Sequence, residues 1–126
     1  MKKLKLDELG RPGLDSYKKM EKLPLCLILD NVRSMMNVGS IFRSCDAFLV
    51  DKLYLCGITG SPPHREIQKT ALGATESVTW EYRPDALGLV LELRQQGCII
   101  AALEQTSNSV LLPAFTPEAG KRYAEI

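Results

Sequence analysis

The chain has one histidine, one tryptophan and no long apolar run. Its longest clean apolar stretches, residues 25–29 and 98–103, fall far short of the roughly 20 residues that span a bilayer. Charged Lys5, Asp7 and Glu8 follow Met1-Lys2-Lys3 at once, which leaves no room for the apolar region of a secretory signal. No excess of one charge is present either. Sixteen basic residues face fifteen acidic ones, a net +1. That excludes a strongly basic nucleic-acid clamp across the whole chain and leaves room for a local basic patch. The four cysteines (Cys26, Cys45, Cys56, Cys98) form no C-x-x-C pair, and with a single histidine there is no zinc-ligand cluster. They read as reduced core residues of a cytoplasmic protein. A G-x-G-x-x-G loop and a G-x-x-x-x-G-K-[ST] loop are both missing, so phosphate cradling of those kinds has no support. One histidine without a Ser or Cys elbow gives no hydrolase triad.

What is present fits one globular domain, or part of one. The 126 residues are 45% hydrophobic and 25% charged, the balance of a chain that builds a core. The first 22 residues are distinct, with seven Lys or Arg against four acids, a local +3 that leaves −2 for the rest. Gly10-Arg11-Pro12-Gly13 breaks this stretch, and Asp15 or Ser16 can cap a short helix reaching about Glu21. Residues 25–29 then read as a strand buried on both faces. Asn37 is expected to cap a helix running to about Leu49. Further strands are expected at 52–56, 78–82 and 98–103. Helices are expected at 64–72, ended by Gly73, and from a first-turn Pro84 to Gln96, stopped by Gly97. Residues 121–126 look like the opening of a last strand. Strands alternating with helices through short connections predict an α/β fold with a mainly parallel sheet flanked by helices. Ligands of such sheets sit beyond the strands' carboxyl ends, which points to the loops after Leu29, Cys56 and Leu103.

The helix from Asn37 separates into faces. Val38, Ile41, Phe42, Cys45, Phe48 and Leu49 recur at core spacing. Ser40, Arg43, Ser44 and Ala47 fall on another side, where one Arg stands among small residues and a ligand or backbone can come close. Trp80 and the tyrosines show no stacking pattern and read as core.

The order Asp30-Asn31-Val32-Arg33, then Asn37-Val38-Gly39-Ser40-Ile41-Phe42-Arg43-Ser44-Cys45-Asp46-Ala47-Phe48, resembles the first motif of the SpoU (TrmH-like) RNA ribose methyltransferases, of the SPOUT class. Lys69-Thr70-Ala71-Leu72-Gly73-Ala74 is similar to the family's small-residue element downstream. The likeness covers roughly residues 25–112. It implies a SPOUT-like fold with a Rossmann-like first half. It divides the chain into a basic extension, 1–24, and a methyltransferase domain, 25–126. It also implies transfer of a methyl group from S-adenosylmethionine to a ribose 2′-hydroxyl of tRNA or rRNA. The motif's Arg maps onto Arg43, which would stabilise or activate that hydroxyl; a permanently charged guanidinium suits stabilisation better than proton abstraction. The motif's Asn maps onto Asn37. Gly39 matches the glycine of close approach, and Asp46 reads as a structural partner. Arg33, Ser40, His64, Arg65 and Lys69 are expected on the RNA side. By the same resemblance, Leu103 and Glu104 border the adenosine of the cofactor, and no metal is expected.

The likeness ends early. After Leu112 the chain lacks the family's second and third motifs, which thread a C-terminal trefoil knot, hold the cofactor and form a homodimer interface. The expectation is a domain incomplete at its C-terminus, with exposed apolar surface that favours association. Whether this chain binds cofactor and is active stays open. The alternative is a shortened, non-catalytic RNA-binding or interaction module of the same fold.

Overall fold

In the computed structural model, the described residues are 20–103 and 121–125. The expected helix near 15–21 and the loop containing Glu104 lie essentially outside them. The elements run β1 (Leu23–Asp30), α1 (Met35–Ala47), β2 (Val50–Cys56), α2 (Arg65–Ala71), α3 (Ala74–Ser77), β3 (Trp80–Arg83), α4 (Ala86–Gln95), β4 (Ile99–Ala101) and β5 (Tyr123–Glu125). The five strands form one sheet in the order β3-β2-β1-β5-β4, and every described pairing is parallel. The α/β expectation holds.

β1 is central and buried on both faces, as its apolar run requires. Cys26 and Ile28 point to one side, where they pack with Tyr54, Cys56, Ala124 and Leu89 and Leu93 of α4. Leu25, Leu27 and Leu29 point to the other, against α1, α2 and α3. Two helical layers therefore sandwich the sheet. The strand starts at Leu23, and its register against β2 shifts between Leu23 and Cys26. Pro24 lies in that interval, and a residue with no N–H interrupts a ladder where it sits.

Several boundaries differ from expectation, each with a local cause. Asn37 is not the N-cap of α1. Ser34 is, and its hydroxyl accepts the Asn37 N–H at 3.1 Å. The helix therefore starts three residues earlier, at Met35. Pro84 is not in the first turn of α4, because Asp85 caps that helix by accepting the Leu87 N–H at 3.1 Å. His64 is the cap of α2 rather than its first residue, with Nδ1 accepting the Glu66 N–H. Leu72 and Gly73 both adopt left-handed conformations, at φ 52° and 88°, and turn the chain into the unexpected short helix α3. Gly97, at φ 92°, follows α4 as expected. Val50–Cys56 and Ile99–Ala101 replace the expected strands 52–56 and 98–103, and Trp80–Arg83 replaces 78–82.

Candidate functional site

The carboxyl ends of β1 and β2 are locked together by polar contacts. Asn31 takes a left-handed φ of 57°, and its Oδ1 accepts the Ile58 N–H at 3.0 Å. Thr59 is 3% exposed; its hydroxyl donates to the Leu29 carbonyl and accepts the Val32 N–H, both at 3.0 Å. These contacts fix the start of the segment that leads into α1.

α1 then presents two kinds of surface. Val38, Phe42 and Cys45 are fully buried. Phe42 meets the Trp80 ring edge-on, with centroids 6.2 Å apart and planes at 82°, which agrees with a core role for Trp80. Burial pushes the Cys45 thiol up to about 12, so it stays protonated near neutrality and offers no nucleophile. Asp46 accepts a hydrogen bond from the Ser77 hydroxyl at 2.8 Å and ties α1 to α3, the structural part expected of it. Phe48 departs from its expected place in the core stripe and is 69% exposed. α1 ends at Ala47, so Phe48 caps the helix on the groove side beside Ser44 and Ala47, and the chain turns left-handed only after it, at Leu49 with φ 58°.

The outer side of α1 meets α2 at short range. A Cβ on Gly39 would lie 1.9 Å from Thr70 Oγ1 and 2.4 Å from the Ile67 carbonyl oxygen. Only glycine allows that approach. The Thr70 hydroxyl donates to the Met36 carbonyl across the contact at 2.9 Å, and Ser40 Oγ reaches the same oxygen at 3.0 Å.

This packing opens a groove of about 550 Å³ between the two helices. From α1 it is lined by Ser40, Arg43, Ser44 and Ala47, the four residues expected to share a face, together with Phe48. Lys69 and Thr70 of α2, with Leu72 beyond it, form the other wall. Two cations and no acidic side chain line it. Among the described residues neither Arg43 nor Lys69 has an ion-pair partner. Such a groove attracts anions and leaves a guanidinium free to bond an incoming oxygen.

Of the expected site residues, the structure brings together Arg43, Ser40 and Lys69. Asn37, Arg33, His64 and Arg65 are exposed but do not line the groove. Asn37 is in the first turn of α1, and His64 spends Nδ1 on its capping bond. The groove belongs to the helical layer rather than to the loops beyond the strands. Sequence reasoning missed Phe48, Thr70 and Leu72 as lining residues. For Thr70 and Leu72 the neighbouring Lys69 was the available signal; for Phe48 helical spacing pointed the wrong way. On the cofactor side, Leu103 is 64% exposed and Glu104 is outside the described residues. Among the described residues no cluster of potential metal ligands is present, and no helix is long and apolar enough to cross a membrane.

Comparison with known proteins places this geometry. Residues 24–123 match the model of the SpoU rRNA Methylase family. The chain is 37% identical over 57 residues to rRNA methyltransferase 1, mitochondrial, from Dictyostelium discoideum, which covers 45% of this chain and 11% of that protein. The solved TrmH/SpoU tRNA modifying enzyme of A. aeolicus superposes with a TM-score of 0.73 at 24% identity, over 89% of this chain and 57% of that one. The rRNA methyltransferase from Sinorhizobium meliloti, solved with AdoMet bound, gives 0.72 at 20% identity, over 86% and 41%. At those identities the two structures speak for the fold. The chain spans about half the length of the solved relatives.

Proposed function

The chain belongs to the SpoU rRNA methylase family, and from that premise we propose that it serves S-adenosylmethionine-dependent methylation of a ribose 2′-hydroxyl in tRNA or rRNA, with the groove between α1 and α2 as the RNA side. The observation that carries the reading is the pairing of Arg43 with Lys69 in one acid-free groove. Lys69 meets a backbone phosphate as a flexible point charge. Arg43 donates to the ribose oxygen and stabilises the negative charge that develops there during transfer. Ser40, whose hydroxyl already donates to the Met36 carbonyl, keeps the wall small beside the guanidinium. Arg33, Arg65 and His64, exposed outside the groove lining, serve as secondary phosphate contacts in this reading. Asn37, exposed one turn before Ser40 on α1, keeps its proposed part in orienting the ribose beside Arg43. S-adenosylmethionine, when bound, supplies the methyl group as a sulfonium electrophile.

A second reading has the 126 residues binding RNA without transferring a methyl group. The two groove cations, which suffice to hold a backbone phosphate, favour keeping it. One experiment separates the two. The chain is incubated with tRNA or rRNA and methyl-labelled S-adenosylmethionine, and 2′-O-methyl nucleotides are quantified for wild type and Arg43→Ala. Label in ribose that Arg43→Ala abolishes, with RNA retention reduced only modestly, supports the enzyme. RNA retention with no label supports the binding module. Label on a base rather than a ribose refutes the 2′-hydroxyl assignment. A second copy of the chain is the further partner in this reading, and sedimentation equilibrium checks it.

A further inference from the structure

Phe48 is the one aromatic ring in the groove, and α1 carries an internal contrast for it. Phe42, six residues earlier, is 0% exposed and packed on Trp80, whereas Phe48 is 69% exposed and no ring stacks on it among the described residues. A phenyl group held in water forgoes the stabilisation that burial gives an aromatic side chain. It follows the last residue of α1; its backbone N–H donates to the Ser44 carbonyl at 3.0 Å, and the Leu49 N–H donates to the Asp46 carbonyl at 3.5 Å. Helix geometry therefore does not demand a ring there.

We propose that Phe48 is a stacking platform for a nucleobase of single-stranded RNA next to the ribose that Arg43 engages. The inference rests on the reading of this groove as the RNA side of a ribose methyltransferase and goes beyond it by naming the form of RNA bound. The groove offers two cations, Arg43 and Lys69, for an anionic backbone, and one exposed π-face within the same 550 Å³. Anionic backbone plus flat apolar ring is the chemistry of a nucleotide. An acidic peptide would match the cations but has no systematic use for the ring. The chain's net +1 sharpens the point. With so little overall charge, counterion release from two groove cations gives only modest affinity, and stacking must supplement it. In a duplex both faces of an internal base are already stacked, and the deep groove of A-form RNA excludes side chains. The ring therefore reaches a base only where the strand is unpaired.

The test uses the full 126-residue chain and a short single-stranded RNA carrying 2-aminopurine, whose fluorescence is quenched by stacking, with a fully paired duplex alongside. Wild type, Phe48→Leu, Phe48→Trp and Lys69→Ala are titrated. Phe48→Leu keeps the side chain apolar at an exposed position, and circular dichroism verifies its fold. The expected result is quenching by wild type, weaker binding of the duplex, and a loss of roughly 5- to 150-fold in single-strand affinity with loss of quenching for Phe48→Leu. Phe48→Trp retains both. Lys69→Ala weakens single strand and duplex alike and lowers the salt slope by about 1. If Phe48→Leu binds and quenches as wild type does while Lys69→Ala weakens binding, the platform is refuted and the RNA reading stands. If wild type binds neither RNA, both fall together.

Discussion

Gly39→Ala is the sharpest perturbation of the candidate site, because one methyl group is enough to part the two helices that form it. The added Cβ would sit 1.9 Å from Thr70 Oγ1 and 2.4 Å from the Ile67 carbonyl oxygen. Both distances are far inside van der Waals contact. The hydroxyl could rotate, but it would then release the Met36 carbonyl it holds at 2.9 Å, at about 1 kcal/mol. The Ile67 oxygen belongs to the backbone of α2 and moves only with that helix. Overpacking of this kind costs about 1–3 kcal/mol. Alanine recovers about 1 kcal/mol of helix propensity, which cancels the lost hydrogen bond and leaves the overpacking term. The net expectation is a destabilisation of about 1–3 kcal/mol. For a chain of this size each kcal/mol lowers Tm by about 4 °C, so thermal unfolding should shift down by roughly 4–12 °C. The groove should suffer too, because Lys69 lies on the displaced helix and Arg43 on the fixed one; RNA retention should fall in the folded variant. The double substitution Gly39→Ala with Thr70→Ala removes the hydroxyl clash but not the carbonyl clash, and should restore only part of the stability. A Gly39→Ala protein as stable as wild type, with RNA retention unchanged, would refute the close helix contact as the origin of the groove.

Other substitutions probe the support of the site. Thr59→Val removes a buried hydroxyl that serves both the Leu29 carbonyl and the Val32 N–H; leaving those groups unpaired should cost about 1–3 kcal/mol by urea denaturation. Ser77→Ala breaks the bond to Asp46 that ties α3 to α1, and should cost about 1–3 kcal/mol, measured the same way. Burial raises the thiols of Cys26, Cys45 and Cys56, with Cys45 at about 12. The folded state therefore keeps protons that the unfolded chain loses above pH about 9. Stability should be insensitive to these groups below that pH and fall above it, by about 1.4 kcal/mol per pH unit for each thiol still protonated. Denaturation midpoints across pH 8–11 check the sign, and native Cys45 should resist alkylation at pH 8 until the protein unfolds.

The fold was largely legible in the sequence because its strongest signals are local. A five-residue apolar run bounded by Pro24 and Asp30 marks a strand buried on both faces, and the 3.6-residue repeat of Val38, Phe42 and Cys45 marks the buried side of α1. Helical spacing put Arg43 and Ser40 on one face, and Lys69 was expected only as a secondary phosphate contact on another helix; the three line one groove. Boundaries were read less well. Asn37 and Ser34 are both good caps, and the choice between them depended on where the chain leaves β1. Left-handed Leu49 and Leu72 could not be foreseen, since leucine rarely adopts that conformation. Phe48 was misplaced because its periodicity held only as long as the helix, which ends at Ala47.

Side-chain order and spacing thus determined the alternation of strands and helices, the apolar face of α1 and the identity of the cation it displays. Those properties depend on a few residues adjacent in the chain. Tertiary structure decided that Lys69, 26 positions later, would face Arg43 across a groove. It decided as well that Gly39 would serve as the contact point between α1 and α2, and that Phe48 would stand in solvent. Each outcome depends on how two helices cross and where one of them ends, and those are set by packing between segments that no local pattern connects.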